Sequence, residues 1–246
     1  MSNQYSNNPY MSPSTGMSPS AGVVAQAPAD ERLGFLRRTY AHLGGAIAMF
    51  VLLEYVLLEA GVGIRLLGLV GTMPFGWLLF LGMFMVVSWV ANSWAHSSTS
   101  SGVQYAGLGL YVVAEAIIFS PLLTIAALKD PAIPLTAGVT TLCLFGVLTS
   151  VVFVTRKDFS FLGTFLTLGM FAAIALIVVS IVCQFALGPI FTVVMIALAC
   201  GYILYYTSNV LHHYHSSQHV AASLTLFASV ALLLWYVVQM FMYSSD

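Results

Sequence analysis

The stretch RKDFSFLGTFLTLGMFAAIALIVVSIVCQF, Arg156 to Phe185, carries three charges in its first three residues and then none to its end. A hydrocarbon bilayer core demands about 20 apolar residues per helical crossing, and Phe161 to Phe185 meets that demand. The same grammar runs through the chain. Charges cluster at Asp30, Glu31, Arg32, Arg37 and Arg38, again at Lys129 and Asp130, and at Arg156, Lys157 and Asp158. Apolar stretches of membrane length lie between the clusters.

Composition agrees. Of 246 residues, 60% are hydrophobic and 6% charged, with a mean hydropathy of +0.96. Soluble domains are typically about 25% charged, so a soluble fold of this chain would expose apolar surface over most of its exterior. The reading is an all-α, polytopic integral membrane bundle of about seven transmembrane helices. The expected spans are His42 to Leu58, Pro74 to Trp94, Tyr105 to Leu128, Pro134 to Val154, Phe161 to Phe185, Pro189 to Val210 and Val220 to Met242. Backbone polar groups in lipid must be paired within the segment, which makes each span a helix. Prolines opening spans two, four and six suit a first helical turn, where a missing N–H is harmless.

Residues 1–30 differ in kind: rich in Ser, Asn, Pro and Gly, uncharged before Asp30 and without an apolar run, they read as a disordered polar tail. No basic start and no apolar segment mark a signal peptide there. Residues 31–246 form the membrane domain. Lys and Arg beside the spans set orientation. Arg32, Arg37, Arg38, Arg156 and Lys157 fall on the side of the N-terminus, and Arg65 and Lys129 on the other. Five against two places the N-terminus in the cytoplasm and the C-terminus across the membrane.

Net charge is −1, so no strong field recruits nucleic acid. Cys143, Cys183 and Cys200 lie in apolar stretches without a CxxC spacing and read as small hydrophobes. No nucleophile elbow, HExxH or P-loop is present, so neither catalysis, a cofactor nor a metal site is expected.

Three stretches carry a family likeness: FLRRTYAHLGG (Phe35 to Gly45), GLYVVAEAIIFSPLL (Gly109 to Leu123) and TTLCLFGVLTSVVFVTRKDFSFLGTFLTLGM (Thr140 to Met170). In the third, a threonine-bearing helix, a T-R/K-R/K-D-F-S turn and a Gly-marked helix follow one another. Together they resemble the Bax inhibitor-1 family, also called the transmembrane Bax inhibitor motif family. The resemblance implies a seven-helix bundle whose last helix is wrapped by the others. It also implies a pH-sensitive cation leak, for calcium in the best-understood members, governed by an acidic pair on helices six and seven. This chain departs from that pattern. In GYILYYTSNVL the family's Asp-Thr becomes Tyr206 and Thr207, and in LTLFASVALLL the second Asp position falls at Ser229.

Glu115 is the conspicuous intramembrane acid. An ionised carboxylate at midplane costs about 2.5–3.5 kcal/mol on insertion scales, and no Lys or Arg occupies an expected span. A neutral, protonated Glu115 is therefore expected. Pro121 cannot donate to the carbonyl of Ile117, leaving an acceptor free near midplane. Glu115 and Pro121 are thus candidates for a proton or cation pathway, with Tyr206 and Ser229 added by the resemblance. The alternative is a neutral Glu115 hydrogen-bonded within a packed helix. Glu54 and Glu59, toward the end of span one, are expected to reach the interface. In LHHYHSSQH, His212, His215 and His219 share a face if the segment is helical. With His213 they are candidates for pH sensing, the alternative being a solvated loop. Tyr205, Tyr206, Trp94, Trp235 and Tyr243 read largely as interfacial aromatics.

Two functions compete: a pH-modulated cation leak, or its regulator, in a bacterial-type inner membrane, and a non-conducting bundle that binds other membrane proteins in stress response or quality control. The missing acidic pair favours the second, and Glu115 with Pro121 the first. A solute carrier would more often show internal duplication, and none is visible. The expected partners are the lipid bilayer, calcium or protons, and other membrane proteins.

Overall fold

The computed structural model describes residues 23–97 and 100–245. Among these the regular structure is helical: α1 (Ala29–Glu59), α2 (Val62–Thr72), α3 (Gly76–Ala95), α4 (Ser101–Lys129), α5 (Ile133–Thr155), α6 (Leu162–Cys183), α7 (Pro189–His212) and α8 (His219–Ser244). All but α2 are long and apolar enough to cross a bilayer, giving the seven expected spans. At 1.5 Å per residue α2 is only about 16 Å long. It follows Gly61, which takes the left-handed conformation (φ +64°) that ends α1 and turns the chain.

Several boundaries differ from the sequence expectation. Helix α1 begins at Ala29, well before His42, because its first turns lie at a polar end where Asp30 and Glu31 complement the helix N-terminus. Its 31 residues span about 46 Å, more than a hydrocarbon core. Pro134 and Pro189 do sit in the first turns of α5 and α7. Pro74 does not open α3: it lies in the turn before Phe75, whose positive φ of 55° reverses the chain, and α3 starts at Gly76.

Of the expected disordered tail, residues 1–22 lie outside the described residues. Residues 23–30 form a short turn and the start of α1, and Val24 ties them to the bundle. Val24 is fully buried, its N–H donates to the Tyr214 carbonyl (2.8 Å), and Val23 bridges to His215.

Two helices form the centre. In both α4 and α8, 72% of the spanning window is buried, whereas no other span exceeds 28%. The last helix is wrapped, as the resemblance implies, and α4 shares its position. Phe119 of α4 packs edge-on against Phe50 of α1 (5.2 Å between ring centroids) and Trp235 of α8 (5.1 Å). Both ends of α8 are anchored: Ser223 donates to the Thr39 carbonyl (2.8 Å), and Lys129 Nζ to the Met242 carbonyl (2.6 Å).

A chamber around Glu115

Helices α3, α4, α6, α7 and α8 line a partly open chamber of about 650 Å³. Glu115 enters it from α4, where it belongs to a buried stripe with Tyr111, Val112 and Phe119 and is only 6% exposed. Tyr111, one turn back, brings its hydroxyl close enough to the Glu115 carboxyl group for the two to interact. Tyr206 of α7 and Ser229 of α8 line the same chamber. Tyr206 stacks on Tyr202 (5.6 Å between centroids, planes 16° apart), and the Tyr202 hydroxyl donates to the Leu166 carbonyl (3.0 Å). The Ser229 hydroxyl turns back to the Leu226 carbonyl (2.7 Å). Tyr206 and Ser229, singled out by the resemblance, thus face the space that Glu115 occupies.

Pro121 lies inside α4 but outside the chamber wall. It is buried next to Ser120, which α2 approaches: a Cβ on Gly63 would collide with the Thr124 hydroxyl and the Ser120 carbonyl. The expected coupling of Glu115 to Pro121 is therefore a coupling along one helix.

Glu54 corrects the sequence reading. It is 4% exposed, and both carboxyl oxygens are buried with no hydrogen-bond partner among the described residues. Azimuth rather than depth decides this. Leu43, Ala46, Phe50 and Glu54 share the inward stripe of α1, and Glu54 is close enough to Glu115 for their charges to interact. Glu59 is exposed as expected. Trp235, read as interfacial, lines the chamber instead.

The histidines do not form one helical face, because α7 stops at His212 and the chain leaves helical geometry before α8. Each finds its own neighbours. His212 Nδ1 is 3.0 Å from the Ser208 carbonyl, His213 Nε2 lies 3.4 Å from Asp158 Oδ2, and His215 meets Gln218. His219 Nε2 is 3.3 Å from the Tyr105 hydroxyl, and its ring lies 5.3 Å from that of His42. Among the described residues no cluster of His, Cys, Asp and Glu has the makings of a metal site.

The RKDFS turn is clamped to α7. Buried Ser208 accepts from the Phe159 N–H (2.9 Å), and Asp158 Oδ1 accepts from the Ser160 N–H (2.9 Å). That backbone donor, aided by the Ser160 hydroxyl and by His213 and His212, holds the Asp158 carboxyl below its ordinary pKa against a smaller desolvation effect. Burial pushes the nearby Tyr214 phenol up, despite its hydrogen bond with Thr225.

Sequence reasoning missed Glu54, Tyr111 and Ser208. The four-residue spacing of Glu54 from Phe50, and of Tyr111 from Glu115, was the available signal.

Comparison with known proteins follows the same outline. An uncharacterized protein of Pseudomonas aeruginosa is 28% identical over 224 residues, covering 88% of this chain and 92% of that protein. The family model described as "Inhibitor of apoptosis-promoting Bax1" matches residues 32–246, the membrane domain from the first turn of α1 onward. The chain belongs to the Bax inhibitor-1 family.

Proposed function

We propose that this protein is a pH-modulated cation leak, or the regulator of one, in a bacterial inner membrane, with its N-terminus in the cytoplasm and no catalytic role. One observation carries the reading: Glu115 lines the same chamber as Tyr206 and Ser229. The acid absent from α7 and α8 has a counterpart on α4, and Glu54 stands behind it on α1. A phenol and a serine hydroxyl do not titrate near neutrality, so any pH response has to come from Glu115, Glu54 or the histidines at the N-terminal face. Calcium flux of the acid-pair kind is expected to be weak.

The test is calcium, proton and potassium flux in proteoliposomes over about pH 5 to 8, the range in which histidine and perturbed carboxyls titrate. The wild type should conduct, Glu115→Gln should conduct several-fold less, and Tyr206→Asp combined with Ser229→Asp should raise calcium flux. Flux that Glu115→Gln leaves unchanged overturns the assignment. Absence of flux for every ion, in all three proteins, favours the non-conducting partner-binding function.

A further inference from the structure

The chamber is much larger than a dehydrated metal ion requires, and its composition is unusual for a metal path. Glu115 is the one charged residue of its wall, with no Lys or Arg beside it. Rings supply much of the remaining surface, from Trp77 and Phe84 on α3 to Tyr206 on α7 and Trp235 on α8. A hard divalent cation prefers six to eight oxygen ligands, whereas this wall presents one carboxyl, a few hydroxyls and many ring faces. Its volume of about 650 Å³ falls within the range of small-molecule sites.

A membrane environment sharpens the argument. Lipid tails are as apolar as leucine, so a neutral apolar molecule gains little by leaving lipid for such a chamber. Affinity has to come from what lipid lacks, here a buried carboxyl group and aromatic faces. Both favour positive charge: the carboxyl group, which gives up its proton as the cation seats, through Coulomb attraction at low dielectric, the rings through their quadrupoles. The same geometry leaves the chamber approachable from the bilayer, since α3 and α6 are the least buried spans and α6 packs chiefly on α7.

We propose that this chamber binds hydrophobic organic cations taken from the lipid, with the charge seated at Glu115 and the apolar body among Tyr206, Trp235 and Phe84. The site stands whether or not the protein conducts inorganic ions, because its readout is binding.

The experiment uses the full chain in nanodiscs of zwitterionic lipid, titrated calorimetrically with tetraphenylphosphonium and with tetraphenylborate, its anion of matched shape. Empty nanodiscs supply the partitioning baseline. Tetraphenylphosphonium should bind saturably above that baseline and tetraphenylborate should not. Glu115→Gln keeps the side-chain shape and should weaken binding by roughly tenfold or more, as expected for loss of a charge-assisted contact. Ala228→Phe adds a ring to the wall without touching Glu115, and should block the site by volume. It decides the matter should the Glu115 variant fold poorly. Binding no stronger than to empty discs, equal uptake of the anion, or affinity unchanged in both variants would each overturn the proposal.

Discussion

Glu54 shows what a single buried group costs and what it implies. Its two oxygens are shielded from lipid and solvent but receive no hydrogen bond among the described residues. An unsatisfied buried polar group costs about 1–3 kcal/mol, and replacing it with an apolar group of the same shape is neutral or stabilising. Glu54→Met should therefore raise the thermal midpoint of the detergent-solubilised protein. If Glu54 assists Glu115, flux should fall in the same variant, the usual trade of function against stability. A lower midpoint would mean that Glu54 has a bonding partner, such as a trapped water. Asp158 behaves oppositely. Its folded pKa is depressed, chiefly by the Ser160 N–H. Its contribution is thus fully present above the unfolded value of about 3.9 and is lost as pH falls through the lower folded value. Asp158→Asn keeps an acceptor for Ser160 but forgoes the charge. At neutral pH it should cost less than about 1 kcal/mol, because the group is solvent-screened. Melting curves of the two proteins should converge in strong acid; a gap that persists there would show that packing, not charge, makes the difference.

At the scale of elements, α3 and α4 illustrate how closeness is achieved without large side chains. A Cβ on Gly107 would lie 2.6 Å from the Ala91 carbonyl oxygen and 2.7 Å from the Ala95 nitrogen, both backbone atoms that cannot rotate away. Gly107→Ala should force the helices apart and cost about 1–3 kcal/mol, the range for overpacking. Gly109, two residues on, has open space around its Cβ direction. Gly109→Ala should be neutral or slightly stabilising, since alanine is the better helix former. Equal melting temperatures for the two variants would contradict the α3–α4 packing. These elements were largely legible beforehand, because the length of uncharged chain decides a span whatever its neighbours are. The Arg156 to Phe185 stretch shows it, with α6 falling inside the expected limits. The turns were less legible. Pro74 is compatible with a helix start, and only the reversal at Phe75 rejects it. The azimuth of Glu54 depends on α4 and α8, far away in sequence, so depth along α1 misjudged it. The grouping at the chamber was legible only through Glu115 itself and the family positions of Tyr206 and Ser229. That Trp235 and Tyr111 join them follows from the packing of α4 against α8.

At the scale of the molecule, the two ends of the bundle are distinguished by which segments meet. At one end Val24 pairs with Tyr214, Asp158 with His213, and His42 stacks on Tyr105 (5.2 Å). The N-terminal segment and the connections α3–α4, α5–α6 and α7–α8 therefore share that end. At the other, Lys129 meets the Met242 carbonyl, and the Tyr243 hydroxyl donates to the Leu187 carbonyl (2.7 Å), which gathers the α4–α5 and α6–α7 connections with the C-terminus. An odd number of crossings is the only way to satisfy both sets, and α2 is too short to add one. The first end holds Arg32, Arg37, Arg38, Arg156 and Lys157, and the second Arg65 and Lys129. Positive charge is retained on the cytoplasmic side during insertion. A reporter fused at Met1 should therefore read cytoplasmic and one fused after Asp246 non-cytoplasmic. Replacing Arg156 and Lys157 with glutamine should weaken that bias without inverting it, since Arg32, Arg37 and Arg38 beside the first span still hold its orientation. Reporters on the same face would break the alternation of the helices and the seven-span fold with it. Opposite faces in the reverse sense would leave the fold standing and overturn the charge argument alone.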